Sequence, residues 1–416
     1  METGRRDHGD LFTVRWPGAG PIVFVADPEL VKQVFTGRPH ELHAGESNRL
    51  LEPAVGPRSL LLLDETEHLR DRRLLLPPFH GERVRGYRAL IEEIVDARVD
   101  RWPVGRPFAL EPEMSAITLE IIVRAVFGVE DAARRAELGT ALRAMLDAGQ
   151  NRLRFFVLMA VAGAPRAQRA LEHALPFARF FRARKRVDAL LRAEIARHRG
   201  LPDLEQRTDI LSLLVQARRE DGSPLRDDEL RDELVTMLAA GHETTATAAA
   251  WAFALLFAHP VAHARLRASV REGDGAYADA VVTETLRLRP PVSIVLRRTC
   301  VPLTLGGHTL PVGSYVAPCP YLVHRRPELY PEPRAFRPER FLGTAPGTYT
   351  WIPFGGGVRR CLGASFALLE LRTVLERVTA RTELAPAGSG PEPVVRRGVV
   401  LAPGRGTPAV MRQRPR

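Results

Sequence analysis

The stretch Phe354-Gly355-Gly356-Gly357-Val358-Arg359-Arg360-Cys361-Leu362-Gly363 decides how this chain reads. One cysteine follows a run of glycines and two arginines, and it directly precedes an apolar helical pattern with Phe366, Ala367, Leu368 and Leu371. The positive end of a helix favours thiolate over thiol, so Cys361 stands where a metal-ligating sulfur is stabilised. Gly357 and Gly363 lack side chains, which lets the backbone pass close to a flat macrocycle. Arg359 offers a guanidinium fork to a carboxylate. A buried structural cysteine beside a glycine turn is the plainer alternative. The number of fitting positions around Cys361 argues against it.

Upstream, residues 227–258 predict one helix of roughly 30 residues, about 45 Å long at 1.5 Å per residue. Inside it lies Ala240-Gly241-His242-Glu243-Thr244-Thr245. An acid and two hydroxyls within an apolar helix are costly unless paired or functional. A hydroxyl that bonds back to the carbonyl four residues earlier is the bland alternative. A zinc-protease reading of His242-Glu243 fails, because H-E-x-x-H needs histidine where Ala246 stands. Further on, Glu284-Thr285-Leu286-Arg287 puts Glu284 and Arg287 on one helix face, which alone reads as an ordinary surface ion pair. In the helix that follows Glu65, His68 and Arg72 are four apart and share a face. An N-cap pattern, Asp27-Pro28, starts an early helix. Short strands are expected near 22–25 and 303–316, and a final helix from about 361 to 379.

The cysteine stretch resembles the haem-binding loop of the cytochrome P-450 family, F-x-x-G-x-R-x-C-x-G, at every defined position: Phe354, Gly357, Arg359, Cys361 and Gly363. Ala367 and Glu370 continue the likeness. The resemblance implies haem b with Cys361 as the iron ligand. It also implies that Ala240 and Gly241 contact the cofactor, that Gly241 opens a groove for dioxygen, and that Glu243 and Thr244 help deliver protons. Glu284, Arg287 and Arg340 of Pro338-Glu339-Arg340-Phe341 match the family's structural triad. His68, Arg72 and Arg297 match its contacts to the haem carboxylates. A substrate pocket is implied along 45–63, 145–180, 236–244, 292–296 and 398–400, including Phe155, Phe156, Leu158, Ile294, Val295 and Val399. The implied fold is mainly α with a minor β portion, a single domain over 1–416 with haem between the long central helix and the cysteine-loop helix. The implied reaction is monooxygenation of an apolar small molecule such as a terpenoid, fatty acid, polyketide or steroid. Oxidative coupling, desaturation and a non-catalytic haem-binding role remain as alternatives.

Composition fits this picture. The 416 residues carry 60 Lys+Arg against 49 Asp+Glu, a net charge of +11. Only two of the basic residues, Lys32 and Lys185, are lysines, and the arginines are interleaved with acids instead of gathered in one run. This disfavours a nucleic-acid partner. Three cysteines (Cys300, Cys319, Cys361) make neither a disulfide framework nor a C-x-x-C zinc pair. The polar N-terminus lacks a signal-peptide core, and no apolar run suits a membrane anchor. A cytoplasmic monomer is expected. No G-x-G-x-x-G follows a strand, so electrons are expected from NAD(P)H through a separate ferredoxin reductase and ferredoxin. Arg72, Arg73 and Arg360 are the expected docking charges for such an acidic partner.

Overall fold

The computed structural model describes residues 1–16, 20–149, 157, 174 and 177–413. Its spine is the helix Asp227–Ala258, 32 residues long. It is buried on nearly every side: Leu230, Leu234, Leu238, Ala250 and Leu256 are all fully enclosed. A helix apolar all round belongs in the middle of a core. Helices Leu110–Ile121, Ala178–Arg199, Ala276–Leu288 and Ala364–Arg381 pack against this spine and share one continuous apolar core with it.

The β portion is small and lies to one side. A five-stranded sheet runs in the order Leu11–Trp16, Gly20–Val25, Tyr315–Pro318, Arg297–Thr299, Leu42–His43. Only the Gly20–Val25 and Tyr315–Pro318 pair is parallel. At the far edge Leu42 faces Thr299 and His43 faces Arg298. The early helix Pro28–Thr36 begins where the sequence predicts, with Asp27 Oδ1 accepting from the amides of Glu29 (2.9 Å) and Leu30 (3.1 Å). The final helix starts at Ala364, three residues after the cysteine. The fold is therefore mainly α with a minor β portion.

Candidate functional site

The cysteine loop is shaped by its contact with the early helix. Gly357 has a positive φ of 63°, and a Cβ there would lie 1.8 Å from the Phe35 carbonyl oxygen. Gly357 thus answers to the Phe35 backbone, a reason that differs from the macrocycle clearance expected from sequence. Gly363 meets nothing within 4 Å, and its side of the loop is open. Phe354 packs partly against the main core and holds the loop's end, its carbonyl accepting the Cys361 amide at 2.9 Å. Cys361 has accessible surface, yet burial pushes its thiol pKa up, while the Gly363 amide, Arg72 and Arg360 pull it down. The thiol thus keeps accessible surface although protein surrounds it closely enough to disfavour its charge.

Four groups named from sequence converge beside it. His68 is buried, and its pKa is lowered to about 3 by desolvation and by Arg359, Arg72 and Arg297. Arg297 is lowered to about 10 by burial and by Arg359, and Arg359 to about 10 by burial, partly offset by Asp64. Arg72 donates to the Arg360 carbonyl at 2.6 Å. Three guanidiniums around a neutral histidine, with one nearby carboxylate, leave an excess of buried positive charge. Such a cradle suits an anionic ligand. The sequence reading missed that carboxylate. Asp64 pairs with Arg359 at 2.5 Å and accepts the amides of Ala44, Gly45 and Glu46 at 3.0, 2.8 and 2.9 Å.

The central helix presents a local opening. Ala240 is exposed and Gly241, Glu243 and Thr244 are half-buried, although their neighbours along the helix are enclosed. A Cβ at Gly241 would find only Ile122 Cδ1, at 3.7 Å. Thr244 Oγ1 donates back to the Ala240 carbonyl at 2.6 Å, the local back-bond anticipated from sequence. Burial raises the Glu243 pKa, with Arg397 opposing and Glu111 reinforcing. His242 turns the other way, its Nε2 3.3 Å from Ser115 Oγ.

Behind the cysteine loop, Glu284 and Arg287 are both fully buried, so they are no surface pair. Arg287 donates twice to Glu284, at 2.6 and 2.8 Å, and Arg340 Nε donates to it at 3.4 Å. Arg287 also serves the carbonyls of His324, Pro333 and Ala335. His324, not singled out from sequence, accepts the Ile352 amide at 2.8 Å and links this network to the segment leading into the cysteine loop.

The cytochrome P450 family model matches residues 1–408. This chain belongs to the cytochrome P450 family. It is 41% identical over 403 residues to cytochrome P450 137 of Mycobacterium tuberculosis, covering 97% of this chain and 83% of that one. It is 41% identical over 408 residues to cytochrome P450 135B1 of Mycobacterium bovis, covering 97% and 84%. Among solved structures, CYP175A1 from Thermus thermophilus matches with a TM-score of 0.75 at 31% identity, over 98% of this chain and 93% of that one. The retinoic acid-bound cyanobacterial CYP120A1 shares the fold, with a TM-score of 0.83 at 24% identity over 99% and 93%. The protein is thus an oxidoreductase, a haem-thiolate monooxygenase of the P450 class. No single helix among the described residues is long and apolar enough to cross a membrane.

The implied substrate-contact segments meet only in part. The Val292–Val400 bridge and the Leu401 amide on the Pro291 carbonyl (2.9 Å) join the 398–400 turn to the 292–296 segment. Ile294 and Val295 are half-buried, and each packs partly against the small core beside the five-stranded sheet. Val399 is 45% exposed, while Val400 turns inward. Phe155, Phe156 and Leu158 lie outside the described residues.

Proposed function

We propose that this P450 hydroxylates an apolar small molecule, with Cys361 as the thiolate that would hold the haem iron and electrons drawn from a separate ferredoxin fed by a reductase and NAD(P)H. The observation that carries the assignment is the cationic cradle of His68, Arg72, Arg297 and Arg359 beside the Cys361 thiol. Its excess positive charge fits the carboxylates of haem b, and Gly363 and Gly241 leave the backbone open on two sides of the cleft. Haem held there would supply dioxygen activation, the chemistry by which one oxygen atom enters substrate and the other leaves as water.

The protein's own groups divide the remaining work. Arg297 and Arg359 would neutralise the haem carboxylates, and a neutral His68 would have one N–H to offer them. Arg72, the member of the cradle whose charge also acts on the sulfur, favours the thiolate. Glu243, whose proton is retained to higher pH by burial, is the proton source. The Thr244 hydroxyl spends its hydrogen on Ala240, leaving oxygen lone pairs to hold a water or accept from Glu243. Ile294, Val295 and Val399 contribute an apolar rim to the substrate cleft. Arg73 and Arg360 are exposed and flank Arg72 on the face nearest the cysteine loop, a charge pattern that suits an acidic ferredoxin. The working unit is one cytoplasmic domain acting as a monomer.

The reduced protein should give the red-shifted Soret band with carbon monoxide, and Cys361→His should abolish it while retaining haem. An unshifted band in the folded, haem-loaded wild type would overturn the reading.

A further inference from the structure

Outside the cleft, His43, Glu46 and Cys300 present one nitrogen, one oxygen and one sulfur within 4.8 Å of one another. His43 lies on the edge strand Leu42–His43, Glu46 in the short helix Gly45–Asn48 that follows, and Cys300 just past the partner strand Arg297–Thr299. All three are half-buried.

The hydrogen bonding around His43 makes this more than a cluster. Its Nε2 lies 2.9 Å from Glu65 Oε1. A carboxylate only accepts, so Nε2 carries the hydrogen and, in the neutral ring, Nδ1 keeps its lone pair. That lone pair faces Glu46 Oε2 at 3.6 Å and Asp64 Oδ2 at 3.8 Å. A lone pair set against two carboxylates is filled either by a proton on Nδ1 or by a cation between them, and the neighbouring thiol makes a metal ion a chemically matched occupant. Glu46 divides its oxygens accordingly: Oε1 pairs with Arg298, and Oε2 is the one turned to the imidazole. A histidine ligand whose second nitrogen donates to a carboxylate is the orienting arrangement found at metal centres. Glu65 reaches that position from a backbone with φ 49°, a conformation that non-glycine residues rarely adopt.

We propose that His43 Nδ1, Glu46 Oε2 and Cys300 Sγ form a binding site for a divalent ion of the zinc class, with water as the fourth ligand and Glu65 orienting the histidine. A tetrahedral zinc with bonds of about 2.0–2.3 Å places its ligands about 3.3–3.7 Å apart. The His–Glu separation of 3.6 Å already fits, and the sulfur, within 4.8 Å of the other donors, needs to approach by at most about 1 Å to meet the same geometry. On binding, the Cys300 S–H bond breaks, a sulfur–metal bond forms, and the proton leaves to water. Thiolate and carboxylate then balance the charge of the ion. Mixed N, O and S donors select zinc or cobalt over magnesium or calcium. The ion would clip the 42–48 segment to the strand that carries Arg297.

The test uses the haem-loaded protein, in which Cys361 is occupied, and titrates it with cobalt(II) and zinc(II). One equivalent of cobalt should give a thiolate-to-cobalt charge-transfer band, absent in Cys300→Ser. Zinc affinity should fall at least about 100-fold in Cys300→Ser and His43→Ala, and about 10-fold in Glu65→Gln. Zinc should also protect Cys300 of the wild type from alkylation, a measurement that needs no variant to fold. Absence of the cobalt band, no protection of Cys300, or zinc affinity unchanged in Cys300→Ser would each overturn the proposal.

Discussion

Replacing Asp64 by alanine probes the least expected part of the cleft. This carboxylate accepts three consecutive amides, those of Ala44, Gly45 and Glu46, and pairs with Arg359. Truncation strands the three amides and removes the carboxylate from Arg359. At about 1 kcal/mol for each part-buried amide, the turn alone loses about 3 kcal/mol. Arg359 is mostly buried and would lose its nearest counter-charge, which adds about 1–2 kcal/mol because the Leu60 and Leu63 carbonyls still accept from it. The sum, about 4–5 kcal/mol, matches the usual loss when one partner of a buried ion pair is removed. Asp64→Asn keeps an acceptor oxygen but no charge, and should lose about half as much. Urea unfolding of the haem-loaded protein, followed by tryptophan fluorescence and by the Soret band, reads both variants. An Asp64→Ala protein within about 1 kcal/mol of wild type would refute the reasoning, since three stranded amides and a lost counter-charge cannot be that inexpensive.

Thr244→Ala removes a hydroxyl next to the proposed proton source and leaves the helix back-bond dispensable, so it should uncouple turnover. The ratio of hydroxylated product to NAD(P)H consumed should fall several-fold with the fold intact, and an unchanged ratio would remove Thr244 from the proton path. Glu284→Ala leaves a fully buried Arg287 with carbonyl partners only and should destabilise by about 3–5 kcal/mol, whereas Glu284→Met with Arg287→Met should recover much of that in denaturation midpoints. Stability should also fall on the alkaline side. Burial pushes Glu233 and Glu370 up to about 8 from 4.5, so the folded form holds protons that the unfolded chain releases, and their contribution drains away as pH rises from about 4.5 through 8. His242 and His324, lowered to about 4 and about 3, act oppositely: the unfolded chain binds their protons first, and stability is lost as pH falls below about 6.5. Between about 4.5 and 6.5 the two sets offset each other; above 6.5 the carboxyls act alone. Melting temperature should therefore drop between pH 6.5 and 8.5, less so in Glu370→Gln, and equal drops in the two proteins would contradict the assignment.

What the sequence disclosed and what it concealed divide along contact range. The helix Asp227–Ala258 was readable to its ends because its cause is local: a long apolar run opened by three acids. The Asp27 cap and the position of Cys361 before a helix are local signals of the same kind. Glu284 and Arg287 were readable as a pair, but their burial was not, since it depends on carbonyls 37–48 residues further on. Asp64 shows why the rest stayed hidden. An aspartate before a helix reads as that helix's N-cap, yet its side chain makes no such bond and reaches back to the 44–46 turn. Its other partner, Arg359, is 295 residues away. Cys300 fails to stand out for the same reason: its companions His43 and Glu46 are brought beside it by strand pairing across the chain. Gly357 was singled out from sequence, but its close approach to Phe35 was not foreseen, because Phe35 lies over three hundred positions earlier in the chain. Local pattern reveals which side chains are chemically equipped. Only the long-range packing decides which of them share a counter-charge, and that sharing sets the pKa values and the ligand preference of the cleft.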